Sequence, residues 1–211
     1  MNAPAFRFLG MVTIGILAAV ISNAAAASRL TFDLTRSTDG NEYSPSFTFT
    51  ETEGTSSVVL TVSSPNGEVS KNQFGLGVRD GADKQRIGSD GSLNEVLDLV
   101  FSPAVTLLDA IVLEHAGDTE SFQIIEEDGT FHNYTISDGD PTQGGSSLVT
   151  LAGLNFTGSK FSFRHTDGSG IRINQVAVSP VPLPAAVWMF ISALVMVSGI
   201  GRVKAARTQA H

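Results

Sequence analysis

Hydrophobic and polar positions alternate along most of this chain, and at both ends the alternation gives way to unbroken apolar runs. Phe47 and Phe49 alternate with Thr48 and Thr50, and Phe161 and Phe163 alternate with Ser162 and Arg164. A period of two puts successive side chains on opposite faces of a strand, so one face can be buried. Similar runs predict strands at 29–35, 44–51, 57–63, 72–79, 94–101, 104–115, 119–126, 130–136, 147–152, 160–166 and 170–178. Asp39-Gly40, Asn66-Gly67, Asp90-Gly91, Asp128-Gly129, Asp138-Gly139 and Asp167-Gly168 supply turns between them. Leu93, Val96, Leu97 and Val100 also fit a helical period, but Phe101 continues a strand-like alternation and Pro103 ends the run. Short strands at this spacing, without a long amphipathic helix, predict an all-β fold: an antiparallel two-sheet β-sandwich, jelly-roll-like. Two long polar stretches, Asp80 to Ser92 and Ser137 to Ser147, read as loops able to shape a ligand site.

The amino-terminal apolar run has the layout of a secretory signal peptide. Arg7 precedes 14 residues from Phe8 to Ile21 that only Thr13, Gly10 and Gly15 interrupt. Ala25 and Ala27 then place small side chains at the −3 and −1 positions, which predicts cleavage between Ala27 and Ser28 by signal peptidase. The run is short for a stable span of about 20 residues, although an uncleaved anchor is the alternative. The carboxyl-terminal run is different. Ala185 to Gly201 is 17 residues, about 25 Å as a helix and enough for a thin bilayer core. Trp188 sits where an indole favours the outer interface, and Arg202, Lys204 and Arg207 form a basic stop on the cytoplasmic side. The two ends divide the chain into 1–27, an exported domain at 28–179 and a membrane tail at 180–207.

Charge separates the same three parts. All 21 acidic residues lie within 28–180, with nine of the 13 Lys and Arg, which gives the exported part a charge of −12. Such a surface repels phosphate backbones and argues against nucleic acid as a partner. There is no cysteine. Disulfides, thiol catalysis and cysteine-ligated zinc are thereby excluded, and packing or a bound metal must stabilise the domain. Phe is frequent at 13 residues, against one Trp and two Tyr, which suggests Phe-rich interiors.

At the carboxyl end the residues become specific. Val181-Pro182-Leu183-Pro184-Ala185-Ala186 leads into Trp188 and Phe190, then an apolar helix, then the basic cluster Arg202, Lys204 and Arg207. This order resembles the VPLPA variant of the PEP-CTERM sorting signal, over residues 180–207. Met189 stands where that family more often has Leu. The resemblance implies a Gram-negative bacterium that makes exopolysaccharide, recognition of the tail by exosortase (a membrane-embedded cysteine transpeptidase), transient anchoring in the inner membrane, and delivery to the cell surface or extracellular matrix. A permanent single-span anchor is the plainer alternative, but it needs no Pro-x-Pro ahead of its Trp. Gly75-Leu76-Gly77-Val78, with Asp90-Gly91, Glu95, Leu97 and Leu99-Val100-Phe101, is loosely similar to the β domains that precede such tails; it assigns no activity.

The candidate chemistry is sparse. Asp80, Asp83, Asp90 and Glu95 share one glycine-containing loop, and calcium needs six to eight hard oxygens on a bendable backbone. A structural calcium there is a candidate, set against a plain solvated loop that also carries Arg79, Lys84 and Arg86. Glu126, Glu127 and Asp128, with Asp118 and Glu120, form a second acidic group, and Asp138 and Asp140 a third. His115, His132, His165 and His211 stand singly, with no H-x-H or H-E-x-x-H pattern for zinc. No G-x-S-x-G elbow marks a nucleophilic serine. The expectation is a non-catalytic domain associated with exopolysaccharide or the envelope. The alternatives are a calcium-dependent carbohydrate-binding module and a secreted polysaccharide hydrolase, whose paired carboxylates no sequence can place.

Overall fold

The computed structural model describes residues 28–79, 86–88, 95–113, 119–136 and 147–181. Residues 1–27 and 182–211 lie outside the described residues. The signal peptide, the sorting motif from Pro182 onward and the basic cluster fall there, and Asp80, Asp83, Asp90, Asp118, Asp138 and Asp140 also lie outside the described residues.

The described residues form an all-β, antiparallel body, with eleven strands among them in one hydrogen-bonded network. They are β1 Leu30–Asp33, β2 Glu42–Ser44, β3 Ser46–Glu53, β4 Ser56–Ser63, β5 Glu68–Asn72, β6 Gly75–Arg79, β7 Val96–Leu113, β8 Glu120–Glu126, β9 Phe131–Ile136, β10 Leu148–Asp167 and β11 Arg172–Pro180. Period-two burial explains their faces. In β4, Val58, Leu60 and Val62 are buried, and in β7, Leu97, Leu99 and Phe101 are buried. Their neighbours Val59, Thr61, Asp98 and Val100 are only partly buried or exposed, and Asp98 accepts the hydroxyl of Ser162, a buried residue of β10, at 2.5 Å.

Two long strands correct the expected element boundaries. Runs 94–101 and 104–115 form one 18-residue strand, β7, and runs 147–152 and 160–166 form one 20-residue strand, β10. Pro103 does not end β7, because there the strand changes partners. Ser102 is the last β7 residue on β4, opposite Val59, and Val105 is the first on β11, opposite Pro180. A residue between two ladders loses nothing by lacking an N–H. The β10–β7 register slips at the same place, from Gly158 opposite Val105 to Lys160 opposite Val100. The run 72–79 holds a tight turn and β6, while β5, which ends at Asn72, lies almost wholly ahead of it and is not among the expected strands.

The shared strands give the network two wings. One runs β3, β4, the first half of β7, the second half of β10, β8 and β9. The other runs from the first half of β10 through the second half of β7 to β11, whose far edge carries β1 and β6; β5 and β2 continue from β6. The wings enclose one apolar core. Phe32 of β1 meets Phe101 of β7 edge-on at 5.9 Å between ring centroids, and Phe101 meets Phe161 of β10 at 6.0 Å. The arrangement is consistent with a β-sandwich.

Pairing also orients the chain ends. Leu30 opposes Val178, and Val181 N–H donates to Ala104 at 3.2 Å, so residues 28 and 181 leave the body side by side, next to the β7 bend. The opposite end holds the last residues of β6, β7 and β9 and the first of β8, β10 and β11, with Ile87 bridged to Ile171.

Candidate functional site

At that opposite end the body buries a group of charged side chains. Glu120 opens β8, and His165 lies near the end of β10; both are fully buried. One Glu120 oxygen accepts the Ser169 N–H at 3.1 Å and the other the Gly170 N–H at 2.9 Å, which pins the turn between β10 and β11. His165 Nε2 stands 3.5 Å from the second oxygen, and neither ring nitrogen has a hydrogen-bond partner among the described residues. Glycines make the close approach possible. A side chain at Gly168 would collide with the Glu120 carboxylate, and one at Gly88 with the imidazole; both have positive φ, +102° and +85°.

Glu95, from the proposed calcium set, is also buried at this end, and its carboxylate accepts the Gly88 N–H. Ile87 then bridges to Ile171, so Glu95 and Glu120 anchor neighbouring turns on either side of His165. Both carboxylates accept backbone N–H groups of these turns. Among the described residues, no group of three or more His, Asp or Glu side chains is arranged to hold a metal ion. Asp80, Asp83 and Asp90 lie outside the described residues. The buried Glu120–His165 pair carried no sequence signal, because its partners lie 45 positions apart in the chain.

The second acidic group spreads around the β8–β9 turn instead of converging. Glu126 faces His132 at 2.8 Å. Asp128 caps its own turn by accepting from the Thr130 N–H at 2.8 Å. Glu127 accepts the Ser159 hydroxyl at 2.5 Å and its N–H at 3.3 Å, which ties the turn to the β10 slip. The Ser159 hydroxyl, then its N–H, hold the Glu127 carboxyl below its ordinary value of 4.5, and the Thr130 N–H holds Asp128 below its ordinary 3.8. A depressed carboxyl contributes stability above its unfolded pKa and loses it as pH falls through the folded value, so the Glu127 contribution fades as pH falls below its ordinary 4.5 and the Asp128 contribution as pH falls below its ordinary 3.8. Ser159→Ala is expected to raise the Glu127 pKa back toward its ordinary value in a carboxyl-carbon NMR titration. An unmoved midpoint would mean that the contact does not form in solution.

Two surface features remain. A shallow groove of about 90 Å³ on the outer face of the second wing is lined by Arg29, Thr31, Asp109, Ile111, Thr150, Gln175 and Ala177. Its one carboxylate, Asp109, is paired with Arg29 at 2.6 Å and accepts the Gly153 N–H at 3.0 Å. The other feature is aromatic. Phe mostly fills the core, but Phe74 is 47% and Phe131 56% exposed. Asn72 Oδ1 accepts the Phe74 N–H at 2.9 Å, Asn174 Nδ2 donates to the Phe74 carbonyl at 3.3 Å, and Asn72 Nδ2 donates to Asn41 at 3.1 Å. Phe74 is thus an exposed ring on a turn fixed by amides. Comparison of the chain with protein-family models and with curated proteins finds no match to either.

Proposed function

We propose that this is an exported, exosortase-processed protein of the cell surface or extracellular matrix, whose β body is non-catalytic and associates with exopolysaccharide. In this reading the two wings are the sheets of a jelly-roll-like sandwich. Signal peptidase cuts after Ala27, the tail holds the precursor in the inner membrane through one span, and an exosortase-type transpeptidase removes it. The observation that carries the reading is the coincidence of boundaries. Leu30, three residues after the expected cleavage, is already buried in β1, and β11 ends at Pro180, one residue before the Val181-Pro182-Leu183-Pro184 motif. The strands β1 to β11 thus fall between the expected cleavage point and the motif. Association with sugar draws support from Phe74, since an exposed ring framed by amides suits the apolar face and hydroxyls of a pyranose. A hydrolase would want two carboxylates facing one cleft about 5–10 Å apart, and the groove has Asp109 alone.

The test is processing in the native cells. Trp188→Ala and Pro184→Ala are expected to leave the full-length tail in place and hold the protein in the membrane fraction. Unchanged size and location in both variants would sink the sorting assignment.

A further inference from the structure

We infer that the outer face of β8, β9 and β10 binds an acidic glycan, with Arg164 taking a uronate carboxylate and Phe131 stacking on a sugar ring. The inference uses neither the tail nor Phe74. Cross-strand pairing builds this face in rows. Phe131 of β9 opposes Ile125 of β8, and Thr135 opposes Ser121. Between them, Asn133 opposes Gln123, which opposes Arg164 of β10. The alternate residues Phe122, Ile124, Phe161 and Phe163 are buried in the core, so the side chains of these rows stand on the other face. Phe131 is the most exposed aromatic ring among the described residues, at 56%.

The middle row is joined by hydrogen bonds. Arg164 Nε donates to Gln123 Oε1 at 3.1 Å, Arg164 Nη2 donates to the same oxygen, and Gln123 Nε2 donates to Asn133 Oδ1 at 2.8 Å. In the next row the Ser121 and Thr135 hydroxyls lie 3.3 Å apart. Arg29, Arg79 and Lys160 each meet a carboxylate, but no ion pair among the described residues includes Arg164. A neutral amide holds one edge of its fork, so the full charge remains and Nη1 is left to donate. Residues 28–180 sum to −12. An arginine fixed in such a body without a carboxylate suits a ligand that brings one, and the planar fork favours a carboxylate over a point anion.

The neighbouring rows decide what carries that carboxylate. A pyranose has an apolar ring face and a rim of hydroxyls, and here an apolar row lies beside rows of amides and hydroxyls. Successive rows are about 7 Å apart and neighbouring strands about 5 Å. Phe131 and Arg164 are thus separated by more than one sugar ring, and a short uronate chain spans them. An extended peptide would instead pair its backbone with a sheet edge.

Isothermal titration of the full chain in detergent micelles tests this, with circular dichroism to report the fold. Trigalacturonate is expected to bind at least tenfold more tightly than its neutral counterpart maltotriose. Arg164→Gln is expected to weaken trigalacturonate at least tenfold, and Phe131→Ser at least threefold. Absence of trigalacturonate binding, equal binding of the two sugars, or undiminished affinity in either variant overturns the inference. Hexaglutamate binding as tightly as trigalacturonate would overturn the glycan in favour of an acidic peptide. If Arg164→Gln does not fold, Phe131→Ser decides alone. Loss of binding in Phe74→Ala with both face variants unaffected would overturn this site and leave the earlier sugar reading standing.

Discussion

Phe101→Ala is expected to destabilise the 28–181 body by about 3–5 kcal/mol, the usual cost of truncating a fully packed aromatic. Phe101 is 2% exposed, and its ring is the middle member of the Phe32–Phe101–Phe161 series that joins β1 of one wing to β7 and β10 of the other. Two edge-on contacts add about 0.5–1.5 kcal/mol each to the loss of buried area. The residue also stands opposite buried Leu60 of β4, so the truncation removes contacts from both strands. Because domains of this size are stable by about 5–15 kcal/mol, the variant should unfold at a much lower urea concentration. A loss under about 1 kcal/mol would mean that the wings do not meet through this ring.

Glu120→Ala is expected to cost a similar amount, about 3–5 kcal/mol, for a different reason. The substitution removes no large apolar surface. It strands the Ser169 and Gly170 N–H groups and leaves His165 buried without the carboxylate beside it. Buried donors with no acceptor carry most of the desolvation penalty of the unfolded-to-folded transfer. Glu120→Gln retains one acceptor oxygen but turns its NH2 toward one of the two N–H donors, so an intermediate loss of about 1–3 kcal/mol is expected. Urea unfolding gives the magnitudes, and amide hydrogen exchange locates the effect. The amides of Ser169 and Gly170 should exchange faster in both variants; unchanged protection would show that another group holds the turn.

The strands were legible wherever one face is buried and the other wet. Val58, Leu60 and Val62 in β4, and Phe161 and Phe163 in β10, follow the alternation that predicts them. The boundaries were misread where a strand serves two ladders. Pro103 ends a strand under local rules, and only the change of partner from β4 to β11 makes it harmless. Gly153 and Asn155, both with positive φ, mark a bulge inside β10 rather than its end. Acidic grouping along the chain was a poor guide to spatial grouping. Glu126, Glu127 and Asp128 are consecutive yet engage His132, Ser159 and Thr130 separately. Glu95 and Glu120, assigned to different groups by sequence, anchor adjacent turns. A long-range pairing leaves no mark in local composition.

The interior position of the β11 carboxyl end has a mechanical meaning. Drag on a body tethered at Val181 pulls along a strand flanked by β1 and β7, so the load falls on many rungs of two ladders together, in shear. Tension between residues 28 and 181 would instead open the β1–β11 rungs in sequence, beginning at Leu30 and Val178. A pull on residue 181 alone would thus meet β11 in shear, and a pull on residues 28 and 181 together would unzip it from β1.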